Sequence, residues 1–307
     1  MSGLRQTIAR CLALAGASLL INYLASTLAW PDLQILTTAL LIAPIYIFCH
    51  VLRALRLFML LYDGKVGAGA VLRTHLVAAG VSALIPFKLG ELYRIAAINH
   101  LINNPTRAVM TVWIERAWDI ALVAAGLCAL LAVDGGWEPF RWFLGAAGLF
   151  LAVSFFLFLV LPENLTACKR WLVIRHQGQW AVTALRAVDA LHRLLHTASL
   201  LWRYRWATMI WLTAWIWAGE LLALHLVVKA VPEASGVVTR LVDMLILRSS
   251  PWQYFAADMP EPAAKAIQAY HLGTVDVLAV IALLMLAWGA CRAWSRRRLP
   301  STPVPAP

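Results

Sequence analysis

Long apolar runs separated by short polar breaks fill most of the chain, and six of them are long enough to cross about 30 Å of hydrocarbon as helices. They are Cys11 to Trp30, Gln34 to Leu52, Ala108 to Val133, Trp142 to Leu161, Trp206 to Val231 and Thr274 to Cys291. Two further apolar stretches are broken by charge and proline. Ala70 to His100 contains Arg73, His75, Pro86, Lys88, Glu91 and Arg94, and Val237 to Gly273 contains Arg240, Asp243, Arg248, Pro251, Pro260 and Pro262. Each must begin and end on one side of the membrane, which a re-entrant helical hairpin satisfies. The pattern predicts an all-α polytopic membrane protein of about six transmembrane helices plus two re-entrant helical hairpins.

Residues 1–134 and 135–298 then read alike, as span, span, re-entrant segment and span. Three spans per half turn the second half upside down, an inverted repeat of the kind that lets a shared cavity open to either face. An irregular six-span bundle has the same hydropathy, and no residue-level repeat accompanies the topological one. Residues 1–298 are expected to form one transmembrane domain. The tail 299–307, "LPSTPVPAP", is too proline-rich to fold and is expected to be disordered in the cytoplasm.

Composition strengthens the membrane reading: 62% of the 307 residues are hydrophobic and 13% are charged, where soluble domains carry about one quarter. The net charge of +11 does not point to nucleic acid, because the basic residues cluster between the spans. With six spans, Arg5 and Arg10, then Arg53, Arg56 and Lys65, then Lys169 to Arg205, then Arg292 to Arg298 all fall on one side. That side is cytoplasmic, so both termini are cytoplasmic too. The opposite connections carry Asp32, Asp134, Glu138, Glu233, Asp258 and Glu261.

The run from Cys11 is long enough to be a retained anchor rather than a cleaved leader. Leu165 to Arg205 mixes basic residues with Trp171, Trp180, Leu191, Leu194 and Trp202, and suits either an amphipathic segment on anionic lipid or a solvated linker. The five cysteines stand singly and read as packing residues, with no metal site, disulfide framework or cofactor implied. No Gly-rich loop ending in Lys-Ser or Lys-Thr is present, so ATP is not expected to drive the protein.

The candidate chemistry lies between Arg53 and Asp119. Residues three or four apart share a helix face, so Glu91 with Arg94, Arg116 with Asp119 and Glu115 with Asp119 can each point one way. Arginine offers a planar fork suited to phosphate oxygens. Arg53, Arg56, Lys88, Arg94 and Arg116 are therefore candidates for binding a lipid phosphate, with Glu91, Glu115 and Asp119 orienting them or exchanging protons. The same charges also suit ion pairs that join helices without a ligand. His75 fits a hydrogen-bonded core position and, with Glu220, is a candidate for lining the cavity. His225 is out of phase with Glu220. Trp206, Trp211, Trp215 and Trp217 suit interfacial belts and packing.

At these residues the chain resembles the lysylphosphatidylglycerol synthase transmembrane family, also called the flippase-like domain. The resemblance rests on Arg53 and Arg56 near a span end, on "SALIPFKLGELYR" and on the following "ERAWD". Members often carry Pro-Gly-Gly-x-Gly-x-x-Glu in the second re-entrant segment, where this chain reads "LRSSPWQYFAADMPEP". No soluble aminoacyl transferase domain is expected here, so synthesis of lysylphosphatidylglycerol is not implied. The resemblance implies a bacterial inner-membrane protein, not an enzyme, that translocates an anionic phospholipid or a polyprenyl-phosphate-linked lipid in envelope biogenesis, with biosynthetic membrane enzymes as further partners. Its alternatives are a non-transporting accessory subunit of a lipid or glycan biosynthetic complex and an integral membrane enzyme acting on a lipid-linked substrate.

Overall fold

The computed structural model describes residues 33–62, 66–84, 89–134, 141–176, 178–230 and 268–298, and all regular structure among them is helical. The expected span Cys11 to Trp30, the bulk of the second re-entrant stretch (237–267) and the tail 299–307 lie outside the described residues, as does Lys88.

Helix α1 is Leu33–Leu61, α2 is Ala68–Leu84, α3 is Leu89–Ile102 and α4 is Pro105–Asp134. Helix α5 (Arg141–Phe155) runs through a π-turn, Phe156–Val160, into α6 (Leu161–Arg175). Helix α7 is Gln179–Ala230, kinked at Arg205, where φ −128° and ψ 15° leave the helical region. A second π-turn, Leu272–Asp276, leads into α8 (Val277–Arg298). Four of these stretches are long and apolar enough to cross a membrane: Leu33–Leu61, Arg141–Arg175, Arg205–Ala230 and Gln268–Gly289. The chain is an all-α, multi-pass membrane protein.

The sequence placed the end of the second span at Leu52, with Arg53 and Arg56 in the loop beyond it. Helix α1 instead continues to Leu61 and buries both arginines. It is 29 residues, about 43 Å at 1.5 Å per residue. The helix persists past Leu52 because Leu57, Leu60 and Leu61 keep an apolar face that packs fully buried.

Helices α2 and α3 have 17 and 14 residues, each shorter than the roughly 20 that a span needs. Gly90 packs on Ser82 so closely that a Cβ there would lie 2.5 Å from the Ser82 Cα. Two short arms meeting at their shared end make the first interrupted stretch a helical hairpin. The junction after it is set by "NNP". Asn103 adopts φ 50°, a left-handed conformation that asparagine tolerates and that stops α3. Asn104 then caps α4, its Oδ1 accepting from the Arg107 N–H at 2.9 Å, and Pro105 occupies the first turn.

The chain divides into two compact units, each assembled from separate segments. One comprises Leu52–Val71 and Ile95–Ala218. Its core joins Leu60, Met110, Ile114, Phe158, Leu165, Leu195, Ala198 and Met209, with a second cluster around Leu57, Val71, Ile98 and Val112. Trp113 on α4 stacks on Phe150 and donates to the Ser154 hydroxyl at 3.0 Å. In this unit α6 and the first part of α7 form an antiparallel hairpin. Lys169 donates to Asp189 at 3.0 Å and to His192 Nδ1 at 3.2 Å, and Thr166 meets His192 Nε2 at 3.1 Å. The Lys169 hydrogen bond holds the Asp189 carboxyl below its ordinary value, and desolvation followed by the charges of Lys169 and His196 does the same to His192.

This hairpin corrects the reading of Leu165 to Arg205 as a surface strip or linker. Leu165, Leu172, Leu195 and Ala198 are buried, because their helical spacing builds an apolar stripe on each arm. Trp171, Ile174 and Trp180 remain exposed.

The other unit contains the residues up to Val51, Leu72–Arg94 and those from Gly219 onward. Small residues bring its helices close, as packing in lipid favours. A Cβ on Gly273 would lie 2.9 Å from the Ala39 carbonyl oxygen, and one on Gly80 would lie 2.8 Å from that of Leu278. At the ends of α1 and α7, the Gln34 side chain donates to the Ala230 carbonyl.

Candidate functional site

In the unit that contains α4, the constellation expected from the sequence comes together around Arg56. The residue is 1% exposed, and its guanidinium meets the Asp119 carboxylate fork to fork: Nη1 to Oδ1 at 2.7 Å and Nη2 to Oδ2 at 3.1 Å. Nη1 also donates to the Thr213 hydroxyl on α7 at 2.9 Å, and Nε stands 3.5 Å from Glu115 Oε1. Arg56 thus ties three helices through side chains that hydrocarbon could not solvate.

Glu115 and Asp119 are four residues apart on α4 and both face Arg56, as their spacing predicts. Arg116 lies beside them, its Nη1 3.4 Å from Asp119 Oδ2. Its side chain is 27% exposed, against 1% for Arg56. Arg53, one turn before Arg56 on α1, is buried. Arg53, Arg56 and Arg116 set against Glu115 and Asp119 leave one positive charge in excess (3 − 2 = +1). Arg56 is engaged by acceptors of the protein, which makes it the organiser of the cluster, and Arg116 is the guanidinium with open surface.

The remaining expected residues belong to the other unit. On the helical hairpin, Arg94 is buried and Glu91 half-buried. His75 is buried and meets His50 of α1, Nδ1 of His50 lying 3.2 Å from Nε2 of His75, with Tyr46 edge-on to the His50 ring. This is the hydrogen-bonded core position expected of it. Glu220 is buried and accepts from the Tyr270 hydroxyl at 3.4 Å, whereas His225 is exposed, in keeping with their difference in phase. Trp206, Trp211 and Trp215 are more than half exposed, as belt residues are. Cys49 is buried, Cys128 exposed and Cys168 half-buried, and no group of His, Cys, Asp and Glu among the described residues is arranged to hold a metal.

Three functional groups escaped the sequence reading. Thr213 gives no signal, since threonine is ordinary in a membrane helix. His271 and Asp276, both buried, fell at the edge of a span expected to begin at Thr274, where charge looks like a border. The helix in fact starts no later than Gln268, which carries both residues inside it. A charge within a span was the signal that would have found them.

Such a structure, several membrane-crossing helices with an arginine–carboxylate cluster buried among them, defines a polytopic membrane protein with a polar interior. The family model for the lysylphosphatidylglycerol synthase TM region matches residues 7–250, and the chain belongs to that family. No curated protein and no solved structure matches it.

Proposed function

We propose that this protein binds an anionic lipid through its phosphate and moves it across the bacterial inner membrane. The observation that carries the reading is the cluster on α1 and α4: three arginines against two carboxylates inside a membrane protein of a lipid-related family. Excess positive charge in a low-dielectric site favours an anion, and arginine's fork matches phosphate oxygens. In this reading Arg116 and Arg53 contact the phosphate, and Arg56 with Glu115 and Asp119 keeps the site open and charged while it is empty. Lys88, Glu91 and Arg94 carry the same expectation for the headgroup as it passes. The protein is a transporter rather than an enzyme, its termini are cytoplasmic, and its cargo is a phospholipid or a polyprenyl-phosphate-linked lipid of envelope biogenesis.

Reconstitution tests this. Purified protein in vesicles is given headgroup-labelled phosphatidylglycerol, a labelled polyprenyl phosphate or labelled phosphatidylcholine, and protection of the label from an impermeant quencher is followed. Movement of one of the two anionic lipids in preference to phosphatidylcholine, lost in Arg116→Ala at unchanged thermal stability, is the expected result. No movement of either anionic lipid by the wild-type protein would sink the proposal.

A further inference from the structure

Of Glu91, Glu115 and Asp119, the carboxylates expected to orient the arginines or exchange protons, Glu115 and Asp119 are both held by Arg56. A carboxyl that takes up and releases a proton during a cycle needs to be less firmly held. Asp276 is such a group. It is 6% exposed, both its carboxylate oxygens are buried, and neither has a hydrogen-bond partner among the described residues. No basic side chain among those residues pairs with it.

The local backbone singles out the same place. Asp276 closes the π-turn Leu272–Asp276, and π-turns inside α-helices occur frequently at functional sites. An i→i+5 turn brings residues five apart toward one side of the helix, which sets His271, itself 2% exposed, near the side of Asp276. The turn is clamped where Gly273 meets the Ala39 backbone of α1, and α8 is clamped where Gly80 of α2 meets Leu278. Among the described residues up to Gly289, the other charged and imidazole side chains on the helices of this unit are His50 on α1, Arg73 and His75 on α2, Glu91 and Arg94 on α3, Glu220, His225 and Lys229 on α7, and His271 beside the turn. None of them hydrogen-bonds Asp276.

We propose that Asp276 is a proton-binding site whose occupancy is coupled to lipid movement. An ionised carboxylate in hydrocarbon without a donor is expensive, and a bound proton removes the charge. The step is a simple exchange: a carboxylate oxygen takes a proton from hydronium at one face of the membrane, leaving water, and returns it to water at the other. A metal cation is a poorer occupant, since hard cations want several oxygen ligands and no such group surrounds this position among the described residues. The proton site stands on the geometry of this unit alone, whereas its coupling rests on the transport function proposed above.

Infrared difference spectroscopy on the full chain in lipid vesicles, titrated with acid, decides the first part. The wild-type protein is expected to gain the carbonyl stretch of a protonated carboxyl, and Asp276→Asn to lose that band while Asp276→Glu keeps it at a shifted position. If Asp276→Asn does not fold, Asp276→Leu, which suits the apolar surroundings, replaces it. A band unchanged in the variant would overturn the proton site. The pH response of lipid movement, measured on the same vesicles, decides the second part: it is lost in Asp276→Asn if the site is coupled, and retained at wild-type strength if it is not. A wild-type protein that moves no lipid would remove the transport reading and with it the coupling, and the infrared band would still decide the proton site.

Discussion

The guanidinium of Arg56 and the carboxylate of Asp119 form two parallel hydrogen bonds, 2.7 and 3.1 Å long, across helices α1 and α4. Such a pair is strong only as a pair. Removing one partner strands the other charge where water cannot reach it, at a cost of about 3 to 5 kcal/mol. Asp119→Leu and Arg56→Leu are each expected to lower thermal stability by that order, while the double variant recovers a large part of the loss. Melting curves of the purified single and double variants check this, and additive losses would refute the pairing.

Thr213 ranks below Asp119 in the same cluster. Thr213→Val removes one acceptor from a buried Arg56 donor, for a cost of about 1 to 3 kcal/mol, and leaves the charge pair intact. The expected order of destabilisation is Asp119→Leu, then Thr213→Val, then Arg116→Ala, whose side chain has access to solvent. Denaturation of the three variants in one detergent reads it directly.

The hairpin of α6 and α7 should loosen on acidification. Asp189 is held below its ordinary value, so its contribution is present above the usual aspartate range and is lost as pH falls through its folded value. His192 is also held down, so its neutral form supports the fold above the usual histidine range and that support is lost as pH falls. Both act in one direction. Amide hydrogen-exchange protection across residues 161–200, taken relative to the intrinsic exchange rate at each pH, is expected to fall as pH drops through the histidine range, and high salt to have a like effect through the partly exposed Lys169–Asp189 pair. Protection that rises at the acid end would contradict the assignment.

Topology gives a fourth test. The connection between α6 and α7 lies among basic residues, Lys169, Arg170, Arg175 and Arg186, and is expected on the cytoplasmic face. In a cysteine-free background, a single cysteine at position 175 should resist an impermeant thiol reagent in intact cells and react after permeabilisation. Labelling from outside would reverse the orientation.

Helices α4 and α5 were legible because long apolar runs in a bilayer have one economical backbone solution. The face shared by Glu115 and Asp119 was equally legible, since four residues on a helix return to the same side. The hidden features depended on packing. Arg53 and Arg56 read as loop charges because hydropathy stops at Leu52, and only the carboxylates of another helix make it favourable to keep them inside. Leu165 and Leu195 read as parts of an amphipathic surface strip because the partner arm that covers them is invisible in either stretch alone. Thr213 carries no charge and so left no trace. Asp276 left a trace, but the π-turn moves the helix start far enough back to change an edge residue into an interior one.

Both π-turns among the described residues, Phe156–Val160 and Leu272–Asp276, accommodate one residue more than an α-helical turn would. Each residue added to an α-helix rotates the remainder of that helix by about 100°. Deleting Val275 would therefore straighten the second turn and swing the preceding face of the helix around relative to α8, with Gly273 no longer facing Ala39. In a sequence comparison the same feature would surface as a single-position gap in the middle of an apolar segment, a place where insertions are otherwise costly. A relative that kept the length of this stretch would keep the phase of the helix, and one that shortened it by a residue would aim the carboxyl differently.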